Sequence, residues 1–346
     1  MLPAAPDEEG AAPVPFYAER GPLRRISDAI FRRPETTIFV VCVVLIVYFS
    51  IRNTAFYSYT NVVTMAQYTA PIAVIGAGEV MLLDLAEIDL SAGQVYLTAP
   101  WIVVLLAQRG VPLGWAIVVS LLCCIGIGLF NGTVVVGLRV PSFVATLGVN
   151  YVLAGFVLVA SSDITTEMIG TTGKFGQYFG IGNWAEGLWG LGIVLVIWAL
   201  LKGTRFGLHT TATGGNELGA AEAGVSVRSV KIWCFVIMAL VAGFIGIIDA
   251  IRIGSLDPAA PGLNEMLSGV SAAVIGGTAL TGGKATVLGT LIGAVVLGVL
   301  EDGFNLIGIS ANWFILVEGA VILLAMGINV QLGRVTQLGR FARTST

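Results

Sequence analysis

Four carboxylates, Glu79, Asp84, Glu87 and Asp89, fall within one short stretch, residues 78–93 (GEVMLLDLAEIDLSAG). Carboxylates relay protons in catalysis, bind cations, or accept hydrogen bonds from donor groups. Acid–base catalysis needs a second group placed to attack or to exchange the proton. The chain holds a single histidine, His209, which excludes a multi-histidine metal site. It has no Gly-x-Ser-x-Gly turn, no His-Glu-x-x-His pair and no phosphate-binding Gly-Lys-Ser/Thr loop. No nucleophile, acid and base assemble into a recognisable catalytic set. Neither a resident cofactor nor a metal is expected in this chain.

The setting of these acids decides how to read them. Hydrophobic residues make up 56% of the 346-residue chain and charged ones 11%. A soluble domain of this size cannot cover so much apolar surface with so few charges. The expected fold is an all-α polytopic membrane protein of about ten transmembrane helices. The spans are placed near 37–51, 61–83, 90–108, 113–137, 142–161, 184–201, 231–252, 265–281, 285–300 and 312–331. Residues 1–36 and 332–346 are then cytoplasmic tails around one transmembrane domain, 37–331. Part of the first tail, 22–33, has the composition of a basic surface helix. Pro71, Pro100 and the Gly126/Gly128 pair lie inside spans, which calls for kinked helices packed within a bundle.

Lys and Arg set the orientation. With ten spans and both termini cytoplasmic, fourteen of the 18 Lys and Arg residues fall on the cytoplasmic side. Only Arg52, Arg109, Lys174 and Arg252 remain for the other face. Gly289 and Gly293 form a Gly-x-x-x-Gly pair of the kind that lets helix backbones approach closely. Residues 128–143 faintly echo 298–314, in spans that run in opposite directions, as inverted repeats would. Cys42, Cys123, Cys124 and Cys234 all sit in apolar segments and read as core residues, not a disulfide framework.

A carboxylate at mid-bilayer depth costs about 2.5–3.5 kcal/mol, so it is seldom idle. Asp89, followed by Leu-Ser-Ala-Gly, is expected to cap the third span together with Ser91. Glu79 and Asp84 lie deeper. They either face an aqueous pathway, where they can hydrogen-bond a polyhydroxylated solute, or pair with another buried polar group. Glu318 is a similar isolated acid. The segment 203–230 is expected to carry a short helix, about 216–223, between a Gly214-Gly215 turn and a second turn at Gly224. Asn216 is placed to cap it, with Glu217 in its first turn. Such a helix needs either the headgroup layer or a partner protein to rest on.

At four blocks the chain resembles the permease subunits of ATP-binding-cassette importers for monosaccharides, the ribose, xylose, arabinose and galactose permeases. The blocks are 87–93 (EIDLSAG), 131–148 (NGTVVVGLRVPSFVATLG), 214–231 (GGNELGAAEAGVSVRSVK) and 273–290 (AVIGGTALTGGKATVLGT). The chain departs from the family at Ser142, where a second proline is common, and in carrying Glu79 and Asp84. The resemblance implies the larger, vitamin B12 permease-like (type II) importer fold in a bacterial cytoplasmic membrane. It implies a second permease subunit, commonly identical, and a cytoplasmic protein with two nucleotide-binding modules that holds ATP and Mg. An extracytoplasmic sugar-binding protein would deliver the substrate, and no nucleic acid is involved. Gly214, Gly215, Asn216, Glu217, Ala220, Ala221 and Gly224 would form the coupling helix on which the ATPase docks. Asn131, Phe143, Thr146, Asn150 and Tyr151 would join Glu79 and Asp84 near the translocation path. The competing reading is an ion-coupled secondary sugar carrier, with Glu79, Asp84 or Glu318 binding the ion.

Overall fold

The computed structural model describes residues 34–171, 173–260, 262–310, 313–320 and 323. Most of the first tail, the whole C-terminal tail and most of the expected last span lie outside the described residues. Eleven helices carry the described fold. They are α1 (Pro34–Arg52), α2 (Tyr59–Asp84), α3 (Ala92–Gln108), α4 (Leu113–Leu138), α5 (Ser142–Ser161), α6 (Ala185–Gly203), α7 (Arg205–Gly215), α8 (Glu217–Glu222), α9 (Val227–Ile253), α10 (Gly262–Ile275) and α11 (Val287–Leu306). A two-residue antiparallel ribbon pairs β1 (Thr166–Glu167) with β2 (Ser255–Leu256). Residues 313–320 are helical as well.

Six of these helices, α2, α4, α5, α6, α9 and α11, are long and apolar enough to cross a membrane, and α1 and α3 are shorter apolar helices. The element expected over 265–281 is the 14-residue α10. At 1.5 Å per residue it spans about 21 Å, less than the roughly 30 Å hydrocarbon core. It ends at Gly276-Gly277, where glycine with a positive φ at Gly277 turns the chain back toward α11.

The chain passes up and down between two ends. One end gathers the last residues of α2, α7 and α8, the first residues of α9 and the loop 278–286; it is called the Asp84 end here. The Arg252 end gathers the starts of α2 and α6 with the finishes of α9 and α11. There Trp184 Nε1 donates to Tyr59 Oη at 3.1 Å, and Asn53 Nδ2 donates to the Leu306 carbonyl at 3.0 Å.

The core lies around α2 and α9, both buried over most of their length, and small residues make their close packing possible. Gly128 and Gly132 of α4 lie against the α9 backbone at Val236 and Ile232, and Gly243 of α9 faces Cys124. By contrast α4, α5 and α6 expose apolar faces, among them Leu122, Phe130, Val152 and Val159. Cys123 is exposed on this surface and so departs from the expected core role, while Cys42, Cys124 and Cys234 are buried and free.

The Gly289/Gly293 pair packs helix on helix as its spacing predicts. A Cβ on Gly289 would fall 2.0 Å from the Gly276 carbonyl oxygen, and one on Gly293 would fall 2.3 Å from the Ala272 carbonyl oxygen. Both acceptors are backbone and cannot swing aside. Gly293→Leu is therefore expected to push α11 off α10 and lower stability by roughly 1–3 kcal/mol, the usual cost of overpacking. A lowered unfolding temperature of the detergent-purified chain is the readout.

Candidate functional site

Between α2 and α3 the chain turns back into the bundle. Ala86 takes a left-handed φ of 57° and the Glu87 amide closes on the Leu82 carbonyl. Residues 87–91 then run without helical pairing, although Asp89 and Ser91 are fully buried. Non-helical backbone at this depth must find partners in the protein, and side chains from α2 and α5 supply them. The Ile88 amide donates to Ser142 Oγ at 3.1 Å and the Leu90 amide to Thr146 Oγ1 at 3.0 Å. The Asp89 amide donates to Glu79 Oε1 at 3.3 Å. Asn131 of α4 completes the set, its Nδ2 donating to Ser91 Oγ at 2.8 Å and more weakly to the Asp89 carboxylate.

This geometry corrects one expectation and decides between the alternatives for two other acids. Asp89 is not the cap of α3. The residue in that position is Ser91, whose side chain makes no capping bond, while Asp89 Oδ1 accepts from the Ser91 amide and hydroxyl. Glu79 and Asp84 take the second of their two expected settings and pair with buried polar groups, and Asn131 and Thr146 also bond within the protein. All four are fully buried and all four hold protein groups. Ser142 supplies a hydroxyl that holds the loop. Thr146→Val keeps the shape but leaves the Leu90 amide unpaired, at an expected cost of about 1–3 kcal/mol. Thermal unfolding beside Thr146→Ser, which keeps the hydroxyl, measures it.

The segment expected to hold one short helix holds two. Thr204 Oγ1 accepts from the Gly207 amide and starts α7, which the sequence reading did not anticipate. Gly214 and Gly215 are the last turn of α7, not a free turn. Gly214 is there for closeness, because a Cβ would fall 1.6 Å from the Asp84 carbonyl oxygen. Thr211 Oγ1 donates to Asp84 Oδ2 at 2.8 Å, and the Gly283 amide donates to the Asp84 carbonyl at 2.8 Å. The end of α2 thus joins α7 to the α10–α11 loop. Asn216 caps α8 through its Oδ1, which accepts from the Gly219 amide at 3.0 Å, and Gly224 turns the chain with a φ of 87°. Ala220 is buried, while Glu217 and Ala221 face outward.

Lys231, in the first turns of α9, ties these parts together. Its Nζ lies 2.9 Å from Glu87 Oε1 and 3.1 Å from Glu217 Oε2. One ammonium therefore bridges α8 to the re-entrant loop. Glu87, Arg139, Glu217, Arg228 and Lys231 line a broad surface depression beside α8.

At the Arg252 end lies a second polar centre that the sequence reading missed. Arg252 of α9 pairs with Glu186 of α6 and with Asp249, and Tyr96 of α3 donates its hydroxyl to Asp249. Glu186 is fully buried. Beside this cluster is a cavity of about 320 Å³ reached by Asp249, Glu265 and Glu301. A signal was present, since each of these acids stands in an apolar helix, and intramembrane ionisable residues mark sites by default. Of the remaining expected pathway residues, Phe143 and Tyr151 are exposed on the outer surface of α5 and Asn150 is buried. Asn150 Oδ1 has no hydrogen-bond partner among the described residues.

The comparisons with known proteins agree on a transport permease and differ in the substrate that they name. A family model described as branched-chain amino acid transport system / permease component matches residues 61–326. The chain is 33% identical over 329 residues to the xylose/arabinose import permease protein of Sulfolobus acidocaldarius, covering 92% of this chain and 90% of that one. It is 33% identical over 298 residues to the ribose import permease protein of Escherichia coli, covering 84% and 92%. Identity to the fructose import permease protein of Rhizobium meliloti is 29% over 328 residues, 90% of each chain. No solved structure matches the chain. Long apolar helices, a re-entrant loop pinned by buried side chains and this agreement over most of the length lead to one conclusion: the chain belongs to the membrane-embedded permease components of import systems.

Proposed function

We propose that the chain is the membrane-spanning subunit of an ATP-driven ATP-binding-cassette importer that carries a monosaccharide into the cell. The observation that carries this reading is similarity over 84–92% of the chain to import permeases named for xylose and arabinose, ribose and fructose. The family model's description names amino acids instead, so the substrate class rests on the relatives. The chain has no nucleotide-binding motif of its own. The energy would come from a cytoplasmic partner with two nucleotide-binding modules that hold ATP and Mg. A second, identical permease subunit would pack on the exposed apolar faces of α4 and α5, and an extracytoplasmic sugar-binding protein would deliver the sugar.

In this reading the Asp84 end faces the cytoplasm, both termini lie inside, and about ten spans form a type II importer fold with inverted repeats. Arg139, Lys202, Arg205, Arg228, Lys231 and Lys284 all lie at that end, as the positive-inside rule requires. The α7–α8 pair is the coupling element, with Gly214, Gly215, Asn216, Glu217, Ala220, Ala221 and Gly224 in or beside the ATPase contact. When the nucleotide modules close, α8 moves with them. Lys231 passes the displacement to Glu87 and the loop 87–91. Ser142 and Thr146 then pass it to α5, so the spans tip between outward-open and inward-open arrangements.

Reconstitution tests this. With the ATPase and binding protein present, sugar uptake into vesicles is expected to require ATP. Accumulation by the permease alone on an imposed proton or sodium gradient would establish the ion-coupled carrier in its place.

A further inference from the structure

A cavity of about 430 Å³ lies between α1, α2, α6 and α11, within the roughly 300–1,000 Å³ typical of small-molecule sites. None of its described lining residues belongs to the α7–α8 element, or to α4 and α5, the faces given above to a second permease subunit. Small residues shape it. A Cβ on Gly187 would fall 3.2 Å from the Ala66 Cβ, and one on Gly190 would fall 2.8 Å from the Ala70 Cβ, so α6 crosses close over α2. On the other side α1 leans on α11, with the Phe49 ring against Gly303. The crevice is the gap that these contacts leave between α1 and α6.

The walls specify hydrocarbon. Ile46, Met65, Leu191, Leu291 and Val295 are typical of them, and none of the described lining residues is charged. Ile46, Val62, Leu188 and Leu191 are exposed, so the crevice opens sideways toward the bilayer, where no water is on hand to fill it. An unfilled void there would forfeit packing contacts along every wall. Its depth matches one leaflet. The lining on α2 runs from Val62 to Ala73, about 16 Å at 1.5 Å per residue and about half of the roughly 30 Å hydrocarbon core.

The rim supplies a separate observation. Tyr57 and Trp184 close the crevice at the Arg252 end, the level at which aromatic belts meet headgroups. Trp184 and Leu188 also line a neighbouring depression of about 510 Å³ beside Gln177 and Asn183. The indole N–H groups of Trp184 and Trp189 are already given to Tyr59 Oη and the Tyr178 carbonyl. The side-chain amides of Gln177 and Asn183 make no hydrogen bond among the described residues, which leaves their N–H groups for ester or phosphate oxygens. We infer that the crevice is a lipid site. One hydrocarbon chain of a phospholipid from the leaflet on the Arg252 side lies between α1 and α6, and its ester and phosphate oxygens rest on Gln177 and Asn183. The site goes beyond the import reading and stands whatever solute is carried.

The test uses the full chain in nanodiscs of phosphatidylcholine and phosphatidylglycerol, doped with phosphatidylcholine that carries a photoreactive diazirine midway along one acyl chain. After irradiation, labelling mapped by mass spectrometry is expected to be threefold or more higher on residues 62–73 and 187–191 than around Leu122, Val152 and Val159, which face lipid on α4 and α5. Equal labelling of the two regions would show only the lipid that coats any span, and would overturn the site. Leu191→Trp fills the mouth from an exposed position; crevice labelling is expected to fall fivefold or more while labelling of α4 and α5 holds. Unchanged crevice labelling in that variant would overturn the site. The double variant Gln177→Ala with Asn183→Ala is expected to retain threefold less phosphatidylcholine in native mass spectra, and wild-type retention would overturn the headgroup seat. In the assembled importer, a disulfide from Leu191→Cys to another subunit, with crevice labelling lost, would make the occupant a protein and overturn the lipid.

Discussion

Arg252→Met is expected to destabilise the chain by about 3–5 kcal/mol, the usual cost of breaking a buried ion pair from one side. Arg252 touches Glu186 and Asp249, and the Glu186 side chain is fully buried. Removing the guanidinium leaves two carboxylates facing each other in a site that holds further acids at Glu265 and Glu301. A typical domain has only about 5–15 kcal/mol of total stability, so this one change can deplete membrane-inserted protein. Arg252→Met combined with Glu186→Gln and Asp249→Asn removes the charges as a set. It should recover most of the loss, because a buried ion pair replaced as a unit is often nearly neutral. Thermal unfolding of the three proteins in detergent decides the matter. An Arg252→Met protein that melts with the wild type would show that the cluster is hydrated and carries little energy.

Lys231→Met is expected to separate ATP hydrolysis from transport. The assembled importer should keep its ATPase partner and its basal hydrolysis, while sugar moved per ATP falls tenfold or more. The two ion pairs of Lys231 are not equal. Glu217 is 61% exposed, so water screens that pair and it is worth at most about 1 kcal/mol. Glu87 is 14% exposed and Lys231 13%, so that pair is much less screened. The link from α9 to the re-entrant loop should therefore matter more than the link to α8, and Glu87→Gln should reproduce most of the Lys231→Met effect. Exchanging the charges, Lys231→Glu with Glu87→Lys, should restore part of the coupling. An unchanged ratio of uptake to hydrolysis in Lys231→Met would eliminate Lys231 as the connection. Loss of ATPase binding would instead make it part of the docking surface.

Much of the bundle was legible from apolar runs and composition. The boundaries of α2, α4, α5 and α6 fall within a few residues of those expected, because an apolar run must become a helix to satisfy its own backbone in lipid. Asn216 and its short helix were readable for a local reason, since a cap and the amides it serves lie within three residues. The α7 helix was missed because Gly214-Gly215 reads as a turn. Only contact with the end of α2 makes glycine the right residue in its last turn, where any Cβ would strike the Asp84 carbonyl.

The acids divide the same way. Composition and hydrophobic runs determined that this is a polytopic membrane protein, because bilayer thickness and the scarcity of charge act on each segment separately; transport entered only through the resemblance carried by the four motif blocks. The roles of Glu79 and Asp84, and the Asn131 contact of Asp89, depended on partners 10 to 127 residues away in the chain, and no local pattern encodes such a pairing. The Arg252 cluster needed the crossing of α3, α6 and α9 to bring Tyr96, Glu186 and Asp249 around one guanidinium. Helix packing, set by small residues and steric fit across the whole bundle, decided which buried charges hold the fold and which line a cavity.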